Sequence, residues 1–224
     1  MKDLQEAIGY TFHDPALLTE AMTHSSYAHE QHKNMKYNER LEFLGDAVLS
    51  IVVSDYIYKH CPNLPEGELT KLRASLVCEK SLFDFAKQID LGSYLRLSNG
   101  ERRNGGAKRP SIVSDAFEAL IAAIYLDGGM KPAEKHILRF VVPEIEQHKN
   151  RSFKDYKTKL QEYVQTDKRK SVKYELVSES GPANNPTFVM NAVVDDLIMG
   201  TGSGSSKKQA EQNAARNAFE KLVK

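Results

Sequence analysis

Asn38-Glu39-Arg40-Leu41-Glu42-Phe43-Leu44-Gly45-Asp46 puts three carboxylates where an apolar helical pattern would otherwise continue. Leu41, Leu44, Val48, Leu49, Ile51, Val52, Tyr56 and Ile57 carry that pattern forward, which predicts one long buried helix stopping before Cys61-Pro62. At about 100° per residue, Glu39, Glu42 and Asp46 fall within an arc of roughly 60°. A second segment, Ser114-Asp115-Ala116-Phe117-Glu118-Ala119, lies in the most apolar predicted helix, Ser111 to Leu126, closed by Gly128-Gly129. Its two acids are also about 60° apart.

Such acids are costly. Like charges one helical turn apart destabilise by roughly 0.2–0.5 kcal/mol when exposed, and an unpaired charge inside a protein costs several kcal/mol. Arg40 points about 160° away from Glu42, so the first segment holds no neutraliser of its own. A divalent cation supplies the missing charge. For Glu118 the alternative is a buried acid paired with a lysine elsewhere in the chain.

The chain has 224 residues, 27% of them charged, a net charge of +1 and two cysteines. That length suits one large or two modest domains. No run approaches the roughly 20 apolar residues of a membrane span, and Met1 to Glu6 carries no apolar signal segment. Cys61 and Cys78 form neither a disulfide framework nor a metal-type spacing. The expectation is a cytoplasmic protein with no membrane contact and inert thiols.

Charge divides the chain. Residues 151–224 carry +4 and residues 1–150 carry −3, so a mildly basic second part can meet a polyanion while an acidic first part concentrates cations. Glu144 to Ser152 reads as a short solvated linker. Before it the pattern is nearly all helical. After it, Tyr156, Leu160, Tyr163 and Val164 suit a helix, Val172 to Leu176 and Phe188 to Val194 alternate as strands, Asp195-Asp196 turns into Leu197-Ile198-Met199, and Ala210, Ala214, Ala218 and Leu222 mark a closing helix. The order is α-β-β-β-α.

The start of that last helix is unusual. Gly202-Ser203-Gly204-Ser205-Ser206-Lys207-Lys208 puts two lysines in a first turn, where the dipole disfavours cations by about 0.3–1 kcal/mol. Either an anion such as a nucleic-acid phosphate sits there, or the segment is a flexible, solvated Gly-Ser loop. The Gly-Lys-Ser/Thr ending of a nucleotide P-loop is absent, so no nucleotide cofactor is expected.

Asn38 to Asp46 resembles the nine-residue signature of the ribonuclease III family, Asp115 to Ala119 resembles its second acidic motif, and residues 155–223 resemble a double-stranded-RNA-binding domain. The resemblance covers nearly the whole chain. It implies an all-helical endonuclease domain over residues 1–148, a linker at 149–154 and an α-β-β-β-α RNA-binding domain over 155–224. It further implies an endoribonuclease that hydrolyses double-stranded RNA to 5′-phosphate and 3′-hydroxyl ends with a short 3′ overhang, in the processing and decay of ribosomal, messenger and small RNA precursors.

In that reading Glu42, Asp46, Asp115 and Glu118 hold magnesium, for which manganese substitutes, and Asp46 and Glu118 are catalytic. The family's chemistry suits a pair of metals about 3.5–4 Å apart, which activate water and stabilise the leaving oxygen. Glu39 and Glu66 match auxiliary positions of the groove, though either also reads as an ordinary exposed acid. Phe43 matches a residue at the interface of a homodimer, whereas periodicity alone assigns it to the core. Thr158, Gln161, Glu162 and Gln165 are expected to face a minor groove, and Ser206, Lys207 and Lys208 the phosphates. Asn184 stands where the family has histidine, and asparagine can still donate and accept.

Two features stay open. Arg102-Arg103-Asn104-Gly105-Gly106-Ala107-Lys108-Arg109 is either a flexible guide for the RNA backbone or a solvated loop balancing the acidic half. His24, His29 and His32 are close in sequence, but Ser25, Ser26 and Tyr27 suit a helix end better than a transition-metal site. A binding protein with an inert nuclease scaffold is the competing function, and four costly acids argue against it.

Overall fold

The computed structural model describes residues 2–31, 35–152, 156–165, 171–182, 184 and 186–223. Two compact units divide it, Met1–Glu144 and Ile145–Lys224. The helices α1 (Lys2–Ile8), α2 (Pro15–Ala21), α3 (Ser25–Glu30), α4 (Glu39–His60), α5 (Glu66–Val77), α6 (Glu79–Gln88), α7 (Asn99–Arg103), α8 (Pro110–Gly128) and α9 (Met130–Ser152) come first. The segment Glu144 to Ser152, read from sequence as a linker, is therefore the end of a helix. Glu, Gln, Lys and Arg are good helix formers, so polarity alone does not separate linker from helix. Residues 153 and 154 of the expected 149–154 linker lie outside the described residues.

Helix α8 is the hub of the first unit. Ile112, Val113, Ala116, Phe117 and the run Ala119 to Ile124 are buried on all sides, the pattern of a helix enclosed by others. Pro110 opens it where a missing N–H costs nothing, and Gly129 closes it with φ of 84°. Phe117, Phe85 and Phe140 pack with ring centroids 5.4–6.1 Å apart. Helix α4 lies against α8, and Gly45 decides how closely, because a Cβ there would overlap the Glu118 carbonyl.

The second unit is α10 (Tyr156–Gln165), β1 (Val172–Ser180), β2 (Thr187–Val194), β3 (Leu197–Gly204) and α11 (Lys207–Leu222). The sheet is antiparallel in the order β1-β2-β3, and Asp195 and Asp196 turn the second hairpin with φ of 50° and 62°. Leu160, Val164, Met190, Ala192, Val194, Ala210, Ala214, Ala215 and Ala218 form its core. The Gly-Ser loop of the sequence reading is for the most part strand. Gly200, Gly202 and Gly204 lie in β3, and a Cβ at Gly200 or Gly202 would overlap the backbone of α11 at Ala218 or Ala214. Alanines on the helix and glycines on the strand let the two backbones meet.

Candidate metal centre and nucleic-acid interface

Helices α4 and α8 bring their acids together. Glu42, Asp115 and Glu118 each offer a carboxylate oxygen within 4.8 Å of the others, and all three are half-buried. Burial pushes the Glu118 carboxyl up to about 8, and the charges of Asp46, Glu42 and Asp115 add to the shift. Burial also raises Glu42, with Asp115, Glu39 and Asp46 contributing. Asp46 is exposed, one turn beyond Glu42, yet it is the acid that acts most strongly on Glu118.

Burial raises Asp115 as well, while a contact from Ser114 Oγ at 3.5 Å opposes it. Two neighbours of Asp115 escaped the sequence reading. Glu79, at the start of α6, raises it further, and His24 lowers it. Glu79 is 36 residues away on another helix, and nothing in the local sequence marks it. His24 caps α3, accepting from the Ser26 amide at 3.2 Å. His32 lies outside the described residues.

The arrangement concentrates negative charge, and among the described residues the cationic neighbour acting on it is His24, at Asp115. All donors are carboxylate oxygens, the set suited to a hard divalent ion. Glu39 is exposed at the first turn of α4. Glu66 is not in the cluster: it accepts from Thr70 Oγ1 at 2.9 Å and lines a separate groove with Ile51, Tyr58 and Arg73.

That groove corrects the reading of α4 as buried throughout. Ile51 is 57% exposed, Tyr58 74% and Phe43 81%, so the helix has an apolar outer stripe as well as an apolar inner one. Periodicity marks both stripes alike. The basic stretch is likewise more ordered than expected: it forms α7 and a short 3-10 turn, Gly106–Lys108. Arg102 donates to the Leu95 carbonyl at 3.1 Å and Arg109 pairs with Glu101 at 2.7 Å. Arg103 and Lys108 stay exposed.

In the second unit Thr158, Gln161, Glu162 and Gln165 are all exposed on α10, and their spacing puts them on one face. Asn184 is exposed in the turn between β1 and β2. Ser206 caps α11, its hydroxyl accepting from the Gln209 amide at 3.3 Å. Lys207 and Lys208 project from the first turn, and Lys207 Nζ lies 5.7 Å above the Phe188 ring.

Fold and site together define a helical nuclease unit followed by a module for double-stranded RNA. Residues 14–145 match the Ribonuclease-III-like family and residues 156–222 the double-stranded RNA binding motif. The chain is 50% identical over 220 residues to Ribonuclease 3 of Caldanaerobacter subterraneus subsp. tengcongensis, covering 98% of this chain and 96% of the relative. It is 45% identical to Ribonuclease 3 of Listeria monocytogenes over 99% and 97% of the two chains. The nuclease domain of ribonuclease III from Campylobacter jejuni superposes with a TM-score of 0.59 at 44% identity, over 62% of this chain and 94% of that one. The chain belongs to the ribonuclease III family.

Proposed function

We propose that this chain is a double-strand-specific endoribonuclease that hydrolyses RNA phosphodiester bonds at the carboxylate cluster of α4 and α8. The observation that carries the reading is the convergence of Glu42, Asp115 and Glu118 within 4.8 Å, with Asp46 beside them. Magnesium, or manganese in its place, would be held by these four acids. When bound, such an ion lowers the pKa of water and neutralises charge on phosphoryl oxygens. The residues' own part is to hold hard oxygen donors in a partly dry pocket and, through Asp46 and Glu118, to orient the attacking water. Glu39 serves as an auxiliary acid beside Glu42, and Glu66 as an auxiliary acid in the separate groove next to Ile51 and Tyr58.

The RNA is gripped by shape, as expected for a duplex whose deep major groove excludes side chains. Thr158, Gln161, Glu162 and Gln165 face one minor groove, Asn184 another, and Ser206, Lys207 and Lys208 the phosphates between. Arg103 and Lys108 supply exposed charge on the nuclease unit for the same backbone.

The working form is a homodimer through the outer stripe of α4. Three large apolar side chains on one exposed helix face are what a subunit interface leaves when its partner is removed, and the Campylobacter jejuni nuclease domain is described as having a region involved in dimer formation. Among the described residues no helix is long and apolar enough to cross a membrane. Both cysteines are free, which suits a reducing cytoplasm.

The direct test is magnesium-dependent digestion of a defined duplex with both product ends mapped. Paired cuts leaving 5′-phosphates and a short 3′ overhang support hydrolysis by a dimer. Single-strand nicks, or blunt products, count against it.

A further inference from the structure

The RNA-facing residues of the second unit stand on two separate elements. Thr158, Gln161, Glu162 and Gln165 belong to α10, whereas Ser206, Lys207 and Lys208 open α11. A duplex is read by shape, across grooves and phosphates at fixed separations, so the two sets have to be held in register. The core that the helices share, Leu160 and Val164 with Ala210, Ala214 and Ala218, is apolar, and apolar burial has no directional preference.

A directional tie is made by Lys157. Its Nζ donates to Glu211 Oε2 at 2.6 Å, between side chains 34% and 24% exposed. Its backbone N–H, one of the first-turn amides that a helix leaves without an internal acceptor, donates to Gln212 Oε1 at 3.1 Å. Its ammonium also lies 4.5 Å above the Tyr174 ring of β1. One residue thus joins α10, α11 and β1, immediately before Thr158. Glu211 follows Lys207 by four positions and Lys208 by three, which sets it beside both on the helix surface.

An acid in that place repels the phosphate that its neighbours attract. Lys157 cancels the repulsion, but a lysine bound to Glu211 makes no phosphate contact of its own. The pair therefore adds no net attraction for a polyanion, while the geometry it fixes involves both RNA-facing elements. We propose that Lys157 and Glu211 are the specificity-determining pair of this unit: they hold the groove-facing side of α10 at the separation from Lys207 and Lys208 that suits an A-form RNA duplex and not a B-form DNA duplex, whose grooves differ in width and depth. Both are positioning residues, acting through the contact residues. The inference rests on the assignment of those contact residues to RNA in the proposed function.

The test compares the full chain with Lys157→Met, Glu211→Gln, the conservative Lys157→Arg and the exchanged variant Lys157→Glu/Glu211→Lys. Fluorescence anisotropy follows binding to an RNA duplex and to a DNA duplex of the same sequence, in EDTA so that the RNA stays intact, at several salt concentrations. The ratio of RNA to DNA affinity is expected to fall about threefold to fivefold in Lys157→Met and Glu211→Gln, and to stay within about twofold of wild type in Lys157→Arg and in the exchanged variant. Glu211→Gln also tightens DNA binding and steepens its salt slope by about 1, because Lys157 is freed for phosphate. An unchanged ratio in both single variants, with only the overall affinity altered, reduces the pair to its net charge and overturns the proposal; so does a ratio that the exchange fails to restore. A wild type that binds neither duplex, or both equally, overturns instead the RNA assignment on which the proposal rests.

Discussion

The two units solve the same packing problem and put charge to opposite use. In the first, Gly45 lets α4 reach the α8 backbone at Glu118, and the approach drives half-buried carboxylates into one another's field. In the second, Gly200 and Gly202 let β3 reach α11 at Ala218 and Ala214, and the charges that matter, Lys207 and Lys208, stay outside in water. Close backbone contact therefore has no fixed electrostatic consequence. The nuclease unit accepts repulsion that a cation relieves, whereas the RNA-binding unit keeps its cations solvated and ready for phosphate.

Filling either contact breaks the comparison most severely. Gly45→Val is expected to destabilise the first unit by about 3 kcal/mol and to abolish cleavage, measured by urea unfolding and duplex digestion. Gly202→Ala is expected to cost about 2 kcal/mol, with lost duplex affinity in gel shifts but a nuclease unit that still melts as in the wild type. Similar loss of both activities in both variants would erase the distinction between the units.

Lys207→Ala with Lys208→Ala produces a smaller, purely electrostatic change. Duplex binding weakens, and the slope of log affinity against log salt falls by about 2. A slope equal to that of the wild type removes these lysines from the phosphate contacts.

The smallest effect is on stability. Glu118 is raised from an ordinary 4.5 to about 8, so the folded protein binds a proton that the unfolded chain releases. The stability linked to that proton is fully present below about 4.5 and is lost as pH rises through about 8. Thermal melts in chelator should show this decline. Glu118→Gln is expected to flatten it and to raise the metal-free midpoint at high pH by about 2–4 °C, while added magnesium stabilises the wild type more than the variant.

How much of this was readable in the chain depends on whether the signal was local. The acidic faces of α4 and α8 and the alternation of β2 follow from spacing alone, and the resemblance of Asn38 to Asp46 implies that the two sets of acids act together. Gly45 is legible only as part of that motif, because its role depends on a carbonyl 73 residues later. Ile51 reads as core, since an apolar residue on an uncovered outer face has the same sequence signature as one facing the interior. The basic stretch reads as a loop in the sequence because Arg102 and Arg109 are ordered by Leu95 and Glu101, contacts that composition does not show. Glu66 falls outside the acid cluster because α5 carries it to the groove beside Ile51 and Tyr58.

On the proposed function, the α4 and α8 carboxylates perform the cleavage and not the grip. Single-turnover digestion of a defined RNA duplex in magnesium, run beside gel shifts, compares the wild type with Glu118→Ala and Asp46→Ala. Cleavage is expected to be at least about 10³-fold slower in both variants, with duplex affinity within about threefold of wild type. Undiminished cleavage, or loss of binding equal to the loss of cutting, would contradict it.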